Sequence, residues 1–167
     1  MIKIYYSFIK KEESAKLRDY VLKEFFGVEG KIVKNQNGKP YIEGSPYHFN
    51  ISHSHEIVML AVSDKPIGID VEKVEERDYK KFSKRFFSEE EQSRVNSLLS
   101  FYVLWTKKES FVKYLGGCVA DVCETEFTDK IRFKGEEQSV FSVSEKMDDY
   151  VFSVCSEECE YEKILIM

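Results

Sequence analysis

Three acids and one lysine stand at spacings that let them act together. Asp70 and Glu72 lie two apart in Ile67-Gly68-Ile69-Asp70-Val71-Glu72. Glu109 and Lys113 lie four apart in Trp105-Thr106-Lys107-Lys108-Glu109-Ser110-Phe111-Val112-Lys113. The two-residue period of a strand turns Asp70 and Glu72 to one face and Ile67, Ile69 and Val71 to the other. Helical spacing sets Glu109 and Lys113 side by side. Carboxylates brought together repel one another unless a cation joins them. An all-oxygen set favours a hard ion such as Mg²⁺, ordinarily held with waters and substrate phosphates. Lys39 in a polar turn, His53 at a strand end and Lys113 supply phosphate-suited groups. Together these types suit a metal–phosphate substrate, whose charge is neutralised by the cation and the bases. Each piece alone also has a plainer reading: exposed acids on a solvated strand, an i,i+4 salt bridge, and at Lys108 a snorkelling lysine.

The elements that must position these groups are legible from periodicity and punctuation. Phe101, Leu104, Trp105, Phe111, Val112 and Leu115 share one helical face, and Gly116-Gly117 stops the helix. Lys108 projects from the middle of that face, where its amine needs a carboxylate or a backbone carbonyl. Ser88 with Glu91 three residues on is a capping box that begins a helix. Strands are expected at Ile2–Tyr6, Ile32–Val33, Tyr41–Ile42, His48 to Ser52, Ile57–Val62 and Ile67–Glu72. Helices are expected at Glu12–Phe26 and Arg77–Phe87. After residue 126 come strands at Phe127–Phe133, Ser139–Val143, Tyr150–Cys155 and Tyr161–Ile166. Gly68 leaves room for a close neighbour on the Asp70 face.

Composition narrows the class. A chain of 167 residues with 43% apolar and 14% aromatic residues can build one domain, or two small lobes around a shared core. No apolar run approaches ~18 residues, so no membrane span is expected. A net charge of −5 argues against general nucleic-acid binding. The N-terminus lacks the apolar core of a signal peptide, so a cytoplasmic protein is expected. Cys118, Cys123, Cys155 and Cys159 have no histidine near them and no C-x-x-C spacing, and are read as free thiols. No phosphate-binding glycine motif supports a different phosphotransferase.

Five segments in order resemble the motifs of 4′-phosphopantetheinyl transferases of the surfactin-synthetase-activating type, covering about residues 35 to 117. They are Asn37-Gly38-Lys39-Pro40-Tyr41, Phe49-Asn50-Ile51-Ser52-His53-Ser54, Ile67 to Glu72, Phe86-Phe87-Ser88 to Glu91, and Trp105 to Gly116. The resemblance implies Mg²⁺-dependent transfer of the phosphopantetheine arm of coenzyme A to a serine of an acyl or peptidyl carrier protein, releasing adenosine 3′,5′-bisphosphate. It implies Asp70, Glu72 and Glu109 as metal ligands, Glu109 also as general base, and Lys113 on the phosphates. It implies Lys39, Ser52, His53 and Lys113 as coenzyme A contacts. Glu91 matches an acid whose role the resemblance leaves open, and His55 stands where relatives often have glycine. The other reading is a non-catalytic relative that holds coenzyme A or a carrier protein without transfer. Arg77, Lys80, Lys81, Lys84 and Arg85 form a basic patch that suits an acidic carrier protein, or else a solvated helix face.

The expected fold class is α+β with two similar lobes, each a small antiparallel sheet packed with helices, and the active site in the cleft between them. Residues 1–65 would form the N-terminal lobe on the nucleotide side. Residues 66–167 would form the C-terminal lobe with the metal carboxylates and the long helix. Two lobes in one chain imply a monomer.

Overall fold

The computed structural model describes all 167 residues. In chain order the elements are β1 (Ile2–Phe8), α1 (Ser14–Phe26), β2 (Ile32–Lys34), β3 (Pro40–Ile42), β4 (His48–Ser54), β5 (Ile57–Ser63), β6 (Ile67–Lys73), α2 (Tyr79–Phe86), α3 (Glu89–Arg94), α4 (Leu98–Leu115), β7 (Thr125–Phe127), β8 (Ile131–Phe133), β9 (Glu136–Glu137), β10 (Phe141–Met147), β11 (Tyr150–Ser156) and β12 (Tyr161–Leu165). The class is mixed α+β.

The largest sheet has the order β12-β1-β5-β4, and a second has the order β10-β11-β6. Two smaller sheets, β2-β3 and β7-β8-β9, flank them. β5 is buried along its whole length. Its alternate residues Val58, Leu60 and Val62 pack with Leu17, Val21 and Leu22 of α1. Ile57, Met59 and Ala61 pack instead with Ile67, Ile69 and Val71 of β6 and Phe152 and Val154 of β11. A strand covered on both faces carries a continuous apolar run, which is the pattern of Ile57–Val62.

The other face of β6 receives α4. A Cβ at Gly68 would lie 2.0 Å from the Ser110 carbonyl oxygen and 2.4 Å from the Tyr114 amide nitrogen. The close neighbour for which Gly68 leaves room is therefore the backbone of α4. That helix is capped at its start by Ser97, whose hydroxyl accepts from Ser100 N. It ends in a left-handed Gly116 at φ 68°, a conformation glycine adopts without cost. Ser88 and Glu91 make both bonds of the expected capping box, but they start the short α3 rather than α4.

Four expectations are corrected. The strand expected over Phe127–Phe133 is two strands, because Thr128 N bonds Lys130 O and turns the chain. Phe127, Ile131 and Phe133 keep the same alternation through that turn and mask it in the sequence. The strand expected to end at Val143 runs on to Met147, held by β11. The helix expected from Arg77 begins at Tyr79, after an Asp78 cap that accepts from Lys81 N. The first sheet is not purely antiparallel, because β12 runs parallel to β1 from Ile2↔Tyr161 to Tyr6↔Leu165.

Candidate active site

β6, α4 and β4 bring the chemistry-bearing residues to one place. Asp70 projects from β6 toward α4, and its Oδ1 takes the Lys113 amine at 2.6 Å. The same amine donates to Ser52 Oγ on β4 at 2.9 Å. Ser52 Oγ in turn donates to Asp70 Oδ1 at 2.9 Å. Ser54 Oγ donates to Glu72 Oε2 at 3.2 Å. Lys113 thus reaches across to Asp70 rather than down its own helix to Glu109, and the i,i+4 salt bridge is not made. An ammonium carries three donors. Lys113 has committed two, and its side chain is 28% exposed.

The charges are under tension. Burial pushes the Glu109 carboxyl up to about 7, with Asp70 and Glu72 adding to the rise and Lys113 opposing it. Glu72 is also raised, by burial first and then by Asp70. Asp70 Oδ2 is buried with no hydrogen-bond partner. An orphaned buried carboxylate oxygen is costly, and two acids held toward their neutral forms beside it mark a shortage of positive charge. A hard divalent cation supplies what this oxygen set lacks, so the residues present fit Mg²⁺. As the side chains stand, no three acidic, histidine or cysteine groups converge into a ready cage.

His53 faces outward from β4 and is exposed. Partial burial lowers its pKa, and the nearby cations Lys11 and Lys113 lower it further. Lys11 therefore lies close enough to act on His53, with Asp70 and Glu12 acting in the opposite sense. Lys39 is placed differently. Its amine donates to Ile67 O at 3.0 Å and Tyr114 O at 3.2 Å, and burial pulls it down to about 8. Asn35 and Asn37 each donate their side-chain amide to Gly116 O at 2.9 Å. The Asn35–Lys39 turn therefore closes the C-terminal end of α4 against the start of β6.

His55 is exposed in the β4–β5 turn at φ 52°, a region that favours glycine, and its Nε2 pairs with Glu75 at 2.9 Å. Lys80, Lys81, Lys84 and Arg85 are exposed on α2. Arg77 leaves that patch and stacks over Phe82 at 4.7 Å and Tyr102 at 5.4 Å. Lys108 is buried, and its amine donates to Glu91 Oε2 at 2.8 Å and Phe86 O at 3.0 Å. It finds both partner types expected for it. Sequence reasoning missed Asn50 and Ser54, whose only signal is that they alternate with Phe49, Ile51 and His53 on β4.

Residues 66–160 match the family model of the 4′-phosphopantetheinyl transferase superfamily. That stretch contains Asp70, Glu72, Glu109, Lys113 and the α2 patch, while Lys39, Ser52 and His53 precede it. Among curated proteins, the chain is 45% identical over 89 residues to 4′-phosphopantetheinyl transferase gsp of Aneurinibacillus migulanus, covering 50% of this chain and 37% of that one. It is 45% identical over 86 residues to 4′-phosphopantetheinyl transferase Sfp of Bacillus subtilis (strain 168), covering 47% and 38%. It is 29% identical over 136 residues to 4′-phosphopantetheinyl transferase AcpT of Salmonella typhi, covering 75% and 67%. The chain spans about two fifths of the length of gsp and Sfp.

Proposed function

The chain belongs to the 4′-phosphopantetheinyl transferase superfamily, and from that premise we propose that it transfers the phosphopantetheine arm of coenzyme A to a carrier-protein serine. The observation that carries the reading is the three-way junction of Lys113, Asp70 and Ser52, with Glu109 one helical turn before Lys113. Asp70, Glu72 and Glu109 would hold Mg²⁺, which when bound supplies positive charge to the pyrophosphate as its bond breaks. Glu109 takes the proton of the acceptor hydroxyl. Lys113 gives its remaining donor to a phosphate oxygen. Lys11 supplies positive charge near the nucleotide phosphates, and His53, held toward its neutral form, offers them a ring N–H. Of the other groups assigned to coenzyme A by resemblance, Lys39 has committed two of its three donors within the protein, and Ser52 gives its one donor to Asp70.

The two main sheets with their helices are proposed as two lobes divided near residue 65, with the site in the cleft between them and β12 returned to the first. The exposed Lys80, Lys81, Lys84 and Arg85 would steer an acidic carrier protein, and the protein would act as a cytoplasmic monomer. The test is a panel of apo acyl and peptidyl carrier proteins incubated with coenzyme A and Mg²⁺ and read by intact mass. The expected result is a gain of one phosphopantetheine on at least one carrier, abolished by Asp70→Asn and by Glu109→Gln. No gain on any carrier overturns the reading.

A further inference from the structure

Asn35 serves two structures at once. Its Oδ1 accepts from Asn37 N at 3.0 Å and from Lys39 N at 2.8 Å, which fixes the turn between β2 and β3. Its Nδ2 leaves the turn and donates to Gly116 O at 2.9 Å, where Asn37 Nδ2 donates as well. A carbonyl oxygen has two lone pairs, so this one is filled from the turn alone. Lys39 takes a second carbonyl of the same helix end, Tyr114 O, at 3.2 Å. Carbonyls at the end of a helix have no partner within it, and here one distant turn supplies the donors.

Holding Gly116 holds Lys113. Gly116 N donates to Lys113 O at 3.1 Å, and Gly117 N donates to Val112 O at 3.0 Å. Lys113 sends its amine across to Asp70 and Ser52, a reach set by where the last turn of α4 stands. A Cβ at Gly116 would lie 2.7 Å from Asn35 Nδ2, so the glycine also leaves the amide its seat. We infer that Asn35 is a positioning residue: it clamps the last turn of α4 to the β2–β3 turn and so sets Lys113 against Asp70. The kinetic part of this inference rests on the transferase reading; the structural part stands without it.

Asn35→Asp in the full chain separates the two tasks. A carboxylate still accepts from Asn37 N and Lys39 N, but it cannot donate to Gly116 O and it faces the negative end of the helix. Asp121 is already an acid at that end, its Oδ2 2.5 Å from where a Gly117 Cβ would stand. Residue-resolved amide exchange is expected to show Gly116 and Gly117 opening about tenfold faster, the equivalent of one hydrogen bond. Asn37 and Lys39, whose acceptor remains, should change less than about threefold. In carrier loading, kcat should fall about tenfold with the coenzyme A KM within about twofold of wild type. In a Lys113→Ala background the same substitution should lower kcat less than about twofold further, because the group it positions is gone. If Asn35→Asp does not fold, Asn37→Ala removes one donor from Gly116 O, leaves the Asn35 acceptor in place, and is expected to show the same pattern at about threefold. Unchanged Gly116 and Gly117 exchange, or an equal loss of kcat with and without Lys113, overturns the inference. Absence of transfer by the wild-type chain would sink the transferase reading, and the exchange arm would still decide the clamp.

Discussion

Lys108 and Glu91 form a closed ion pair with side-chain exposures of 1% and 0%. Glu91 also accepts from Ser88 N at 2.8 Å and Phe127 N at 2.7 Å, so one carboxylate joins α3, α4 and β7. Burial depresses the Lys108 amine while Glu91 supports it. A buried pair of this kind contributes little over an apolar replacement, but losing one partner strands the other. Lys108→Met or Glu91→Gln is expected to cost about 3–5 kcal/mol, lowering Tm by roughly 10 °C for a chain of this size. The double change should cost less than the sum of the two, by thermal and urea unfolding. Single losses below about 1 kcal/mol would contradict a stranded charge. The misfit of Lys108 was legible in the sequence, because a lysine in an apolar stripe demands a partner. Its partner was not, because Glu91 already had a sufficient local explanation in the capping box. Glu109 carries the pH dependence. Its carboxyl sits at about 7 folded against 4.5 as the ordinary value, so the folded state holds the proton more tightly. Stability of the metal-free protein should therefore fall as pH rises from about 4.5 to 7, by at most about 3 kcal/mol. Glu109→Gln should then be more stable than wild type at about pH 8 and no more stable at about pH 4. A stability difference that does not change with pH would refute this.

At the scale of elements, the site depends on how closely α4 lies on β6. The Gly68 Cβ position collides with α4 backbone at Ser110 and Tyr114, and neither atom is a flexible side-chain end. Gly68→Ala is expected to push the helix away, costing about 3 kcal/mol, and to separate Lys113 from Asp70. The check is paired: urea unfolding for stability, and carrier loading for activity. A well-folded, fully active Gly68→Ala protein would show that the contact is not needed. The length and face of α4, the β6 alternation and the Gly116 stop were legible because they depend on local periodicity. The Ser97 start was missed because Ser88 offered a complete cap nine residues earlier, and only the break at Val95–Asn96 separates the two helices. The Asn35–Lys39 turn was also legible as a turn. Its grip on Gly116 O joins groups 81 and 79 residues apart, and no local pattern reports such a contact.

At the scale of the molecule, the two main sheets share one core. Ile2 and Ile4 of β1 and Ile57 and Met59 of β5 pack against Ile67, Ile69 and Val71 of β6 and Phe152 of β11. β12 adds a strap from the far end of the chain. It pairs with β1, Tyr161 donates its hydroxyl to Glu145 at 2.7 Å, Lys163 pairs with the same acid, and the Tyr161 ring meets Phe152 edge-on at 6.1 Å. Its strand character was legible, but its parallel place beside β1 was not, since the partners lie about a whole chain apart. A division at residue 65 would therefore leave neither part with a closed core: the first would lose the cover of β5, and the second would lose the Asn50, Ser52 and Ser54 side chains that accept from the Ile69, Val71 and Lys73 amides of β6. The expected consequence is a single cooperative unfolding transition. Trp105, the chain's one tryptophan, packs against Phe86 and Phe101 in the second part, so its fluorescence reports that part alone, whereas far-ultraviolet dichroism reports both. The two midpoints should coincide. Fragments 1–65 and 66–167 made separately should lack cooperative melts. Truncation after Glu160 should lower Tm by roughly 5–10 °C, as about 2–3 kcal/mol of edge pairing is lost. Midpoints that separate, or a fragment 66–167 that melts cooperatively alone, would mean that the two sheets fold as independent units and that the site is assembled by their docking.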